Sequence, residues 1–312
     1  MKIIILAPRL DVPFKDLGPI PEQRGPIPPI REHWRNFVFL KFNLLRAQGH
    51  DVQIIEKPLF QFTEEFVASL DYDQIYIPHR EAHSLPAKNA LYYMQTVFPW
   101  RFYVDPKGFA GGSTLYPFPK TLLERADSTG LDRFEYRNRM LEGLSKFDQP
   151  KSGKWNMHGY VLFTCQIPHD QTILYHSDVS VEAALRATCE ATKKNGMTLV
   201  VKGHPVNPGA METLRKIALE YSHVVWIDNV SILDAVVNAQ SVVTVNSGTG
   251  MEALALGKPV LTFGRCEYDC VTTKTNLTTI DKDVTISLYN ETEVNKFFSA
   301  WNSVTFDTRI VT

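Results

Sequence analysis

Nowhere in this 312-residue chain does an apolar run approach the roughly 18 residues that a membrane-crossing helix needs, so no transmembrane segment is expected. Cysteine is scarce. The four thiols, Cys165, Cys189, Cys266 and Cys270, form no CxxC pair and no Cys/His cluster at zinc-ligand spacing. That argues against a structural zinc, and reduced cytoplasmic thiols fit best. Excess charge of one sign is missing too. Thirty-three Lys and Arg stand against 34 Asp and Glu, a net charge of -1, whereas nucleic-acid binding needs a positive field. The apolar opening at residues 2–7 is broken by Arg9, Asp11 and Lys15, so it reads as a buried strand rather than a secretory leader. Peripheral contact with a membrane is compatible with all of this. No GxGxxG follows that first strand, so the dinucleotide fingerprint is absent and no cofactor is expected.

What is present is an ordinary globular composition, 44% hydrophobic and 21% charged, in a chain long enough for two domains of about 150 residues. Residues 148–159 are polar and carry Pro150 and Gly153, which places a boundary there. The expected domains are 1–150 and 151–312, with the last residues packing back on the first domain. In the first half, residues 3–7, 51–56, 73–77 and 101–104 read as strands. Residues 32–48, 89–96 and 120–146 read as helices. A proline-rich loop spans residues 8–29, longer than loops in compact domains usually are. In the second half, strands at 160–164, 198–202, 224–227, 241–245 and 259–263 alternate with helices at 181–194, 210–221, 231–238 and 251–256. Alternation of this kind predicts a parallel sheet covered on both faces, and ligands at the carboxyl ends of its strands.

Four groups of residues could carry chemistry. The first follows a buried strand: Asn246-Ser247-Gly248-Thr249-Gly250, with a helix beginning at once. First-turn amides have no intrahelical partner and the helix dipole is positive there, so small residues let an anion approach. Ser247 and Thr249 add hydroxyls, and Glu252, read in the first turn, could accept from a ribose. The alternative reading is a tight turn with a Ser or Thr cap. The second group is Lys202-Gly203-His204-Pro205 at a strand end. A lysine there can neutralise a phosphate, and a histidine can bond to it or protonate a leaving group. The third is Gln166-Ile167-Pro168-His169-Asp170-Gln171, then His176-Ser177, where Gln166 could read a base or a sugar hydroxyl. The fourth is Asp105-Pro106-Lys107-Gly108. Asp105 is the expected general base for an acceptor hydroxyl, with the ordinary turn-forming aspartate as the rival reading. Glu22, His33, His79, Arg80 and Glu81 are weaker candidates for the same role. Arg24 and Arg31 could grip an acidic substrate.

Taken together, the second and third groups and the run Asn246 to Leu254 with Gly257-Lys258-Pro259-Val260 resemble the capsule polysaccharide biosynthesis family, which includes bacterial Kdo transferases. The resemblance implies a GT-B fold, two Rossmann-like domains with parallel sheets facing a central cleft. It also implies an inverting, metal-independent glycosyltransferase with a CMP-activated acidic sugar such as Kdo as donor and a saccharide or glycolipid as acceptor. On that footing His204, Ser247 and Thr249 would hold the donor phosphate, and Glu252 would lie near the ribose. Where the family often shows an acidic-acidic-glycine motif, this chain has Asp105-Pro106-Lys107-Gly108. Rival readings are a nonhydrolysing UDP-GlcNAc 2-epimerase, similar around His204 to Pro208 and Ser247 to Glu252, a UDP-sugar transferase, and a non-catalytic sugar-nucleotide-binding protein.

Overall fold

A computed structural model of the chain describes residues 1–9, 29–143, 146, 155–205, 207 and 209–309. Glu22, Arg24, the Arg31 side chain and most of the polar segment 148–159 lie outside the described residues. Twelve strands are described: β1 (Lys2–Pro8), β2 (Asp51–Lys57), β3 (Gln74–Pro78), β4 (Ala90–Gln95), β5 (Arg101–Asp105), β6 (Tyr160–Thr164), β7 (Leu199–Lys202), β8 (Val224–Ile227), β9 (Ala239–Thr244), β10 (Val260–Thr262), β11 (Thr273–Lys274) and β12 (Phe306–Asp307).

The chain divides into two compact units, one of residues 1–114 with 304–312 and one of residues 115–303. The division falls well before the polar segment at 148–159. Its cause is packing: the helix Leu131–Leu141 belongs with the second unit. Arg133 donates to Asn295 at 2.7 Å and Tyr136 to Asn302 at 2.9 Å, and both acceptors lie on the carboxyl-terminal helix Glu291–Val304.

The first unit carries a six-stranded sheet in the order β12-β5-β4-β3-β1-β2. Residues 3–7 are all buried, because helix and loop cover both faces of a near-continuous apolar strand. Ile3 and Ile5 pack under Trp34, Phe37 and Val38 of the helix Pro29–Ala47. Ile4 and Leu6 pack on the other side against Phe62, Val67 and Leu85. Two expectations fail here. Residues 89–96, read as a helix, are β4, a strand between β3 and β5. Its consecutive Tyr92 and Tyr93 are buried on opposite faces and donate to the carbonyls of Leu85 at 2.7 Å and Leu6 at 2.6 Å, an arrangement aromatics suit. Nor is the sheet all parallel. β5 runs antiparallel to β4, because residues 96–100 form a tight connection, with Thr96 N donating to Arg101 O at 2.9 Å, too short for a parallel crossover. The carboxyl-terminal β12 then pairs antiparallel with β5, Phe306 opposite Phe102 and Asp307 opposite Arg101.

The second unit holds a fully parallel sheet in the order β11-β10-β9-β6-β7-β8. Counted from β6, this is 3-2-1-4-5-6 read from the β8 edge, the doubly wound order in which ligands bind where the direction of winding reverses, here between β6 and β9. Among the described residues no helix is long and apolar enough to cross a membrane.

Candidate functional site

The reversal point is held together by two amides. Gln166, just past β6, and Asn246, just past β9, are both buried. The Gln166 Nε2 donates to Asn246 Oδ1 at 2.8 Å, and its Oε1 accepts from the Asn246 amide at 2.9 Å. Asn246 Nδ2 donates to Thr172 O at 2.8 Å. Both side chains are thus engaged in clasping the two strand ends, and Gln166 does not present a free edge to a base or sugar.

Above this clasp the helix Gly248–Ala255 starts with Ser247 as N-cap, its hydroxyl accepting from Thr249 N at 3.2 Å. Gly248 is exposed and Ser247 and Thr249 are half-buried; the Ser247 hydroxyl also donates to the Thr249 hydroxyl at 3.3 Å, and Gly250 N donates to Ser247 O at 2.9 Å. Glycine is required at 250. A Cβ there would lie 2.5 Å from the Tyr268 hydroxyl oxygen and 2.7 Å from its ring, and that buried ring cannot retreat because its hydroxyl donates to Ser247 O. Gly250→Ala is expected to cost about 1–3 kcal/mol, read by urea unfolding. An unfolding midpoint equal to wild type would show that the Tyr268 contact is not limiting. Glu252 is the fifth residue of this helix, not in its first turn, and only 4% exposed. The expected first-turn position is corrected accordingly, and with helix phase turning the carboxylate inward Glu252 offers no exposed acceptor to a ribose.

Two strands away, about 10 Å at ordinary strand spacing, β7 ends in Lys202-Gly203-His204. A Cβ at Gly203 would meet Asp228 Oδ1 at 2.7 Å and the Trp226 ring at 3.0 Å, so both side chains would have to give way to a larger residue. Lys202 is buried, and its ammonium donates to Asp228 O at 3.2 Å. Burial pulls its pKa down, opposed by the charge of Asp228. It supplies positive field to the site rather than a free ammonium. His204 is half-buried. Burial lowers its pKa most, Asp170 pushes it back up, and the ammonium groups of Lys146 and Lys202 lower it further. The imidazole is therefore neutral at pH 7. Lys146 is likewise lowered by burial and raised by Asp170 and Glu252.

The charges of Asp170, Lys146 and Lys202 thus act on His204, and those of Asp170 and Glu252 on Lys146. Lys146 was not singled out as a site residue. A lone lysine in a polar stretch carries no local signal. Asp170 was visible inside its motif, where it also caps the helix Gln171–His176 by accepting from Thr172 N at 2.9 Å.

Asp105 lies in the other unit and does not present a free carboxylate. It is 2% exposed. One oxygen accepts from Lys107 N at 2.7 Å and Gly108 N at 3.0 Å; the other accepts from Thr114 N at 2.9 Å and from the Thr114 hydroxyl. The turn-forming reading describes it, and the expectation of a catalytic base there is corrected. His79 takes a different form. It closes β3 with a positive φ of 53°, is half-buried, and stacks on Trp34 at 6.3 Å between ring centroids. Backbone conformations of this kind are disfavoured for non-glycine residues and concentrate at functional sites.

Two α/β units, one with a doubly wound parallel sheet and an anion-ready helix terminus at its reversal point, define a protein of the GT-B type. Residues 126–287 match the model of the family described as "Capsule polysaccharide biosynthesis protein", just over half of the chain. The chain belongs to that family. Among solved structures, it is similar to Thermosulfurimonas dismutans KpsC, beta Kdo 2,7 transferase, at 18% identity and a TM-score of 0.50, covering 85% of this chain and 86% of that one. The same organism's KpsC, beta Kdo 2,4 transferase, gives 19% identity and a TM-score of 0.48 over 80% of this chain and 83% of that one. The Methanocaldococcus jannaschii UDP-GlcNAc 2-epimerase, in complex with UDP-GlcNAc and UDP, gives 12% identity and a TM-score of 0.41 over 97% and 98%. At such identities the likeness is one of fold. No curated protein sequence matches the chain.

Proposed function

We propose that this protein is an inverting, metal-independent glycosyltransferase that moves an acidic sugar of the Kdo type from a CMP-activated donor to a saccharide or glycolipid acceptor. Such work belongs to surface polysaccharide synthesis in the cytoplasm, with peripheral contact at the inner face of the membrane. What supports the reading is the Ser247-capped helix terminus at the β6/β9 reversal point, with Lys202 and His204 at the end of β7 on the same sheet, about 10 Å away at ordinary strand spacing.

In this reading the donor's phosphate sits over the amide of Gly248 and takes the hydroxyls of Ser247 and Thr249 out of their bond to each other. The acceptor oxygen forms a bond to the anomeric carbon as the bond from that carbon to the phosphate oxygen breaks, and the electron pair leaves on CMP. The growing negative charge is met by the Gly248 amide, by Lys202 and by a ring N–H of His204. Donors already aimed at developing charge are usually the largest catalytic contribution. The acceptor's proton must pass to a base, a role for which Asp105 is not free, since its own turn engages it. Gln166 and Asn246 hold the strand ends in register.

A calorimetric comparison of CMP, CDP, UDP and GDP tests the donor. CMP is expected to bind tightest. Tightest binding of UDP would move the protein to an epimerase or a UDP-sugar transferase, and tightest binding of GDP would end the present reading.

A further inference from the structure

The second unit also contains a cavity of about 530 Å³ that includes none of the phosphate-loop residues. Its volume lies within the roughly 300–1,000 Å³ of small-molecule sites. The apolar part of its wall includes Tyr116, Pro117, Phe118 and Leu123. Phe118 is buried and packs on Phe297 and Trp301 at centroid distances of 5.2 and 6.5 Å, so this floor is rigid. Facing it are charges of both signs. Glu293 is paired with Lys296 at 2.9 Å, and Asp269 with Lys274 at 3.2 Å. Lys120 and Glu124 are different. They stand one turn apart on the helix Lys120–Arg125, both are exposed, and among the described residues neither side chain has a partner.

The chemistry of that wall selects a ligand class. An anion would meet the Lys120 ammonium with the Glu124 carboxylate beside it, and a cation would meet the reverse, so neither gains net charge attraction. A neutral ring bearing several hydroxyls fits both groups. One hydroxyl accepts from Lys120 and another donates to Glu124, each a bond to a charged partner. The ring's C–H face lies on the Tyr116 aromatic surface. We propose that this cavity binds a neutral pyranose unit of a saccharide chain, in the donor-binding unit and separate from the nucleotide site. The segment that follows β10 serves both places: Asp269 and Cys270 line the cavity, while Tyr268 holds the Ser247 carbonyl.

The proposal is independent of the donor assignment, and one set of samples tests the two apart. Saturation-transfer NMR on the full chain would use methyl β-D-glucopyranoside, methyl β-D-galactopyranoside, N-acetylglucosamine and free Kdo as probes, with CMP titrated separately. At least one neutral sugar is expected to bind. Lys120→Met and Glu124→Gln, both exposed helix positions, are each expected to weaken it by about tenfold, the value of one hydrogen bond to a charged group, with CMP affinity unchanged. Tyr116→Ala is expected to abolish sugar binding. The proposal is overturned if no neutral sugar binds the wild type, if both helix variants bind as the wild type does, or if Kdo alone binds. Loss of CMP binding with neutral-sugar binding intact would overturn the donor reading and support this one.

Discussion

His204→Ala is expected to lower the rate of sugar transfer by about 10²- to 10³-fold, in the range of a positioned proton donor, with little change in the unfolding midpoint. The side chain is half-buried at the end of β7, so its removal leaves no large cavity. The rate effect follows from charge. His204 is held neutral mainly by burial and by the two neighbouring ammonium groups, and a phosphate arriving beside it supplies the opposite charge that favours protonation. CMP affinity should therefore rise as pH falls from 8 to 6, beyond the change due to the phosphate's own second ionisation near pH 6. The His204→Ala variant reports that ligand contribution alone. Identical pH profiles for the two proteins would remove His204 from the phosphate site. Stability moves the other way. The folded-state pKa is below the unfolded value, so the unfolded chain binds more protons below about pH 6.5 and native stability falls as pH drops through that window. The alanine variant should lose this decline.

Deletion of residues 304–312 is the second large effect. It removes β12 from the edge of the first unit's sheet and exposes the β5 backbone to pairing with other chains. It also strips Asp307 from Arg101, a pair at 3.6 Å whose side chains are only 6% and 8% exposed. Taking one partner from a buried ion pair costs about 3–5 kcal/mol. Phe306 goes as well, and with it the ring 3.8 Å from the Lys41 ammonium, a lysine that burial has lowered to about 8. Urea unfolding of the truncated chain should show an early transition and concentration-dependent aggregation. A wild-type midpoint would mean that β12 contributes nothing to the unit. The point variant Asp307→Asn isolates the ion pair. Burial pushes the Asp307 carboxyl up, but its bonds to Arg309 and the charges of Arg101 and Arg309 outweigh it, and the pKa is lowered. A depressed carboxyl contributes stability that is complete above about pH 4 and lost as pH falls through the folded-state value. The wild type should therefore lose its advantage over Asp307→Asn in acid.

The carboxyl-terminal unit was largely legible from its residues. Val181–Lys194 and Tyr160–Thr164 form over the residues expected, because apolar spacing, Ser180 as cap and Asn195-Gly196 as stop all act within a few residues of one another. The phosphate turn was legible for the same reason. Its helix begins three residues earlier than expected, at Gly248 rather than Met251, which moved Glu252 out of the first turn. Gln166 shows the limit of motif reading. A glutamine at a strand end looks the same whether it faces a ligand or, as here, a partner asparagine 80 positions away.

Local order in the amino acids was enough to specify two α/β units, the parallel strands of the second sheet and the strand-to-helix turn at residues 246–250. These depend on hydrophobic period, caps and glycines, forces that act over one or two turns of chain. Long-range packing settled the rest: the reversed direction of β5, the return of residues 306–307 to the first sheet, the bonding of Gln166 to Asn246, and the enclosure of Asp105 by Lys107, Gly108 and Thr114. Residues distant in the chain meet only after the sheets have formed, and whether a carboxylate ends as a base or as the brace of a turn depends on which amides reach it first.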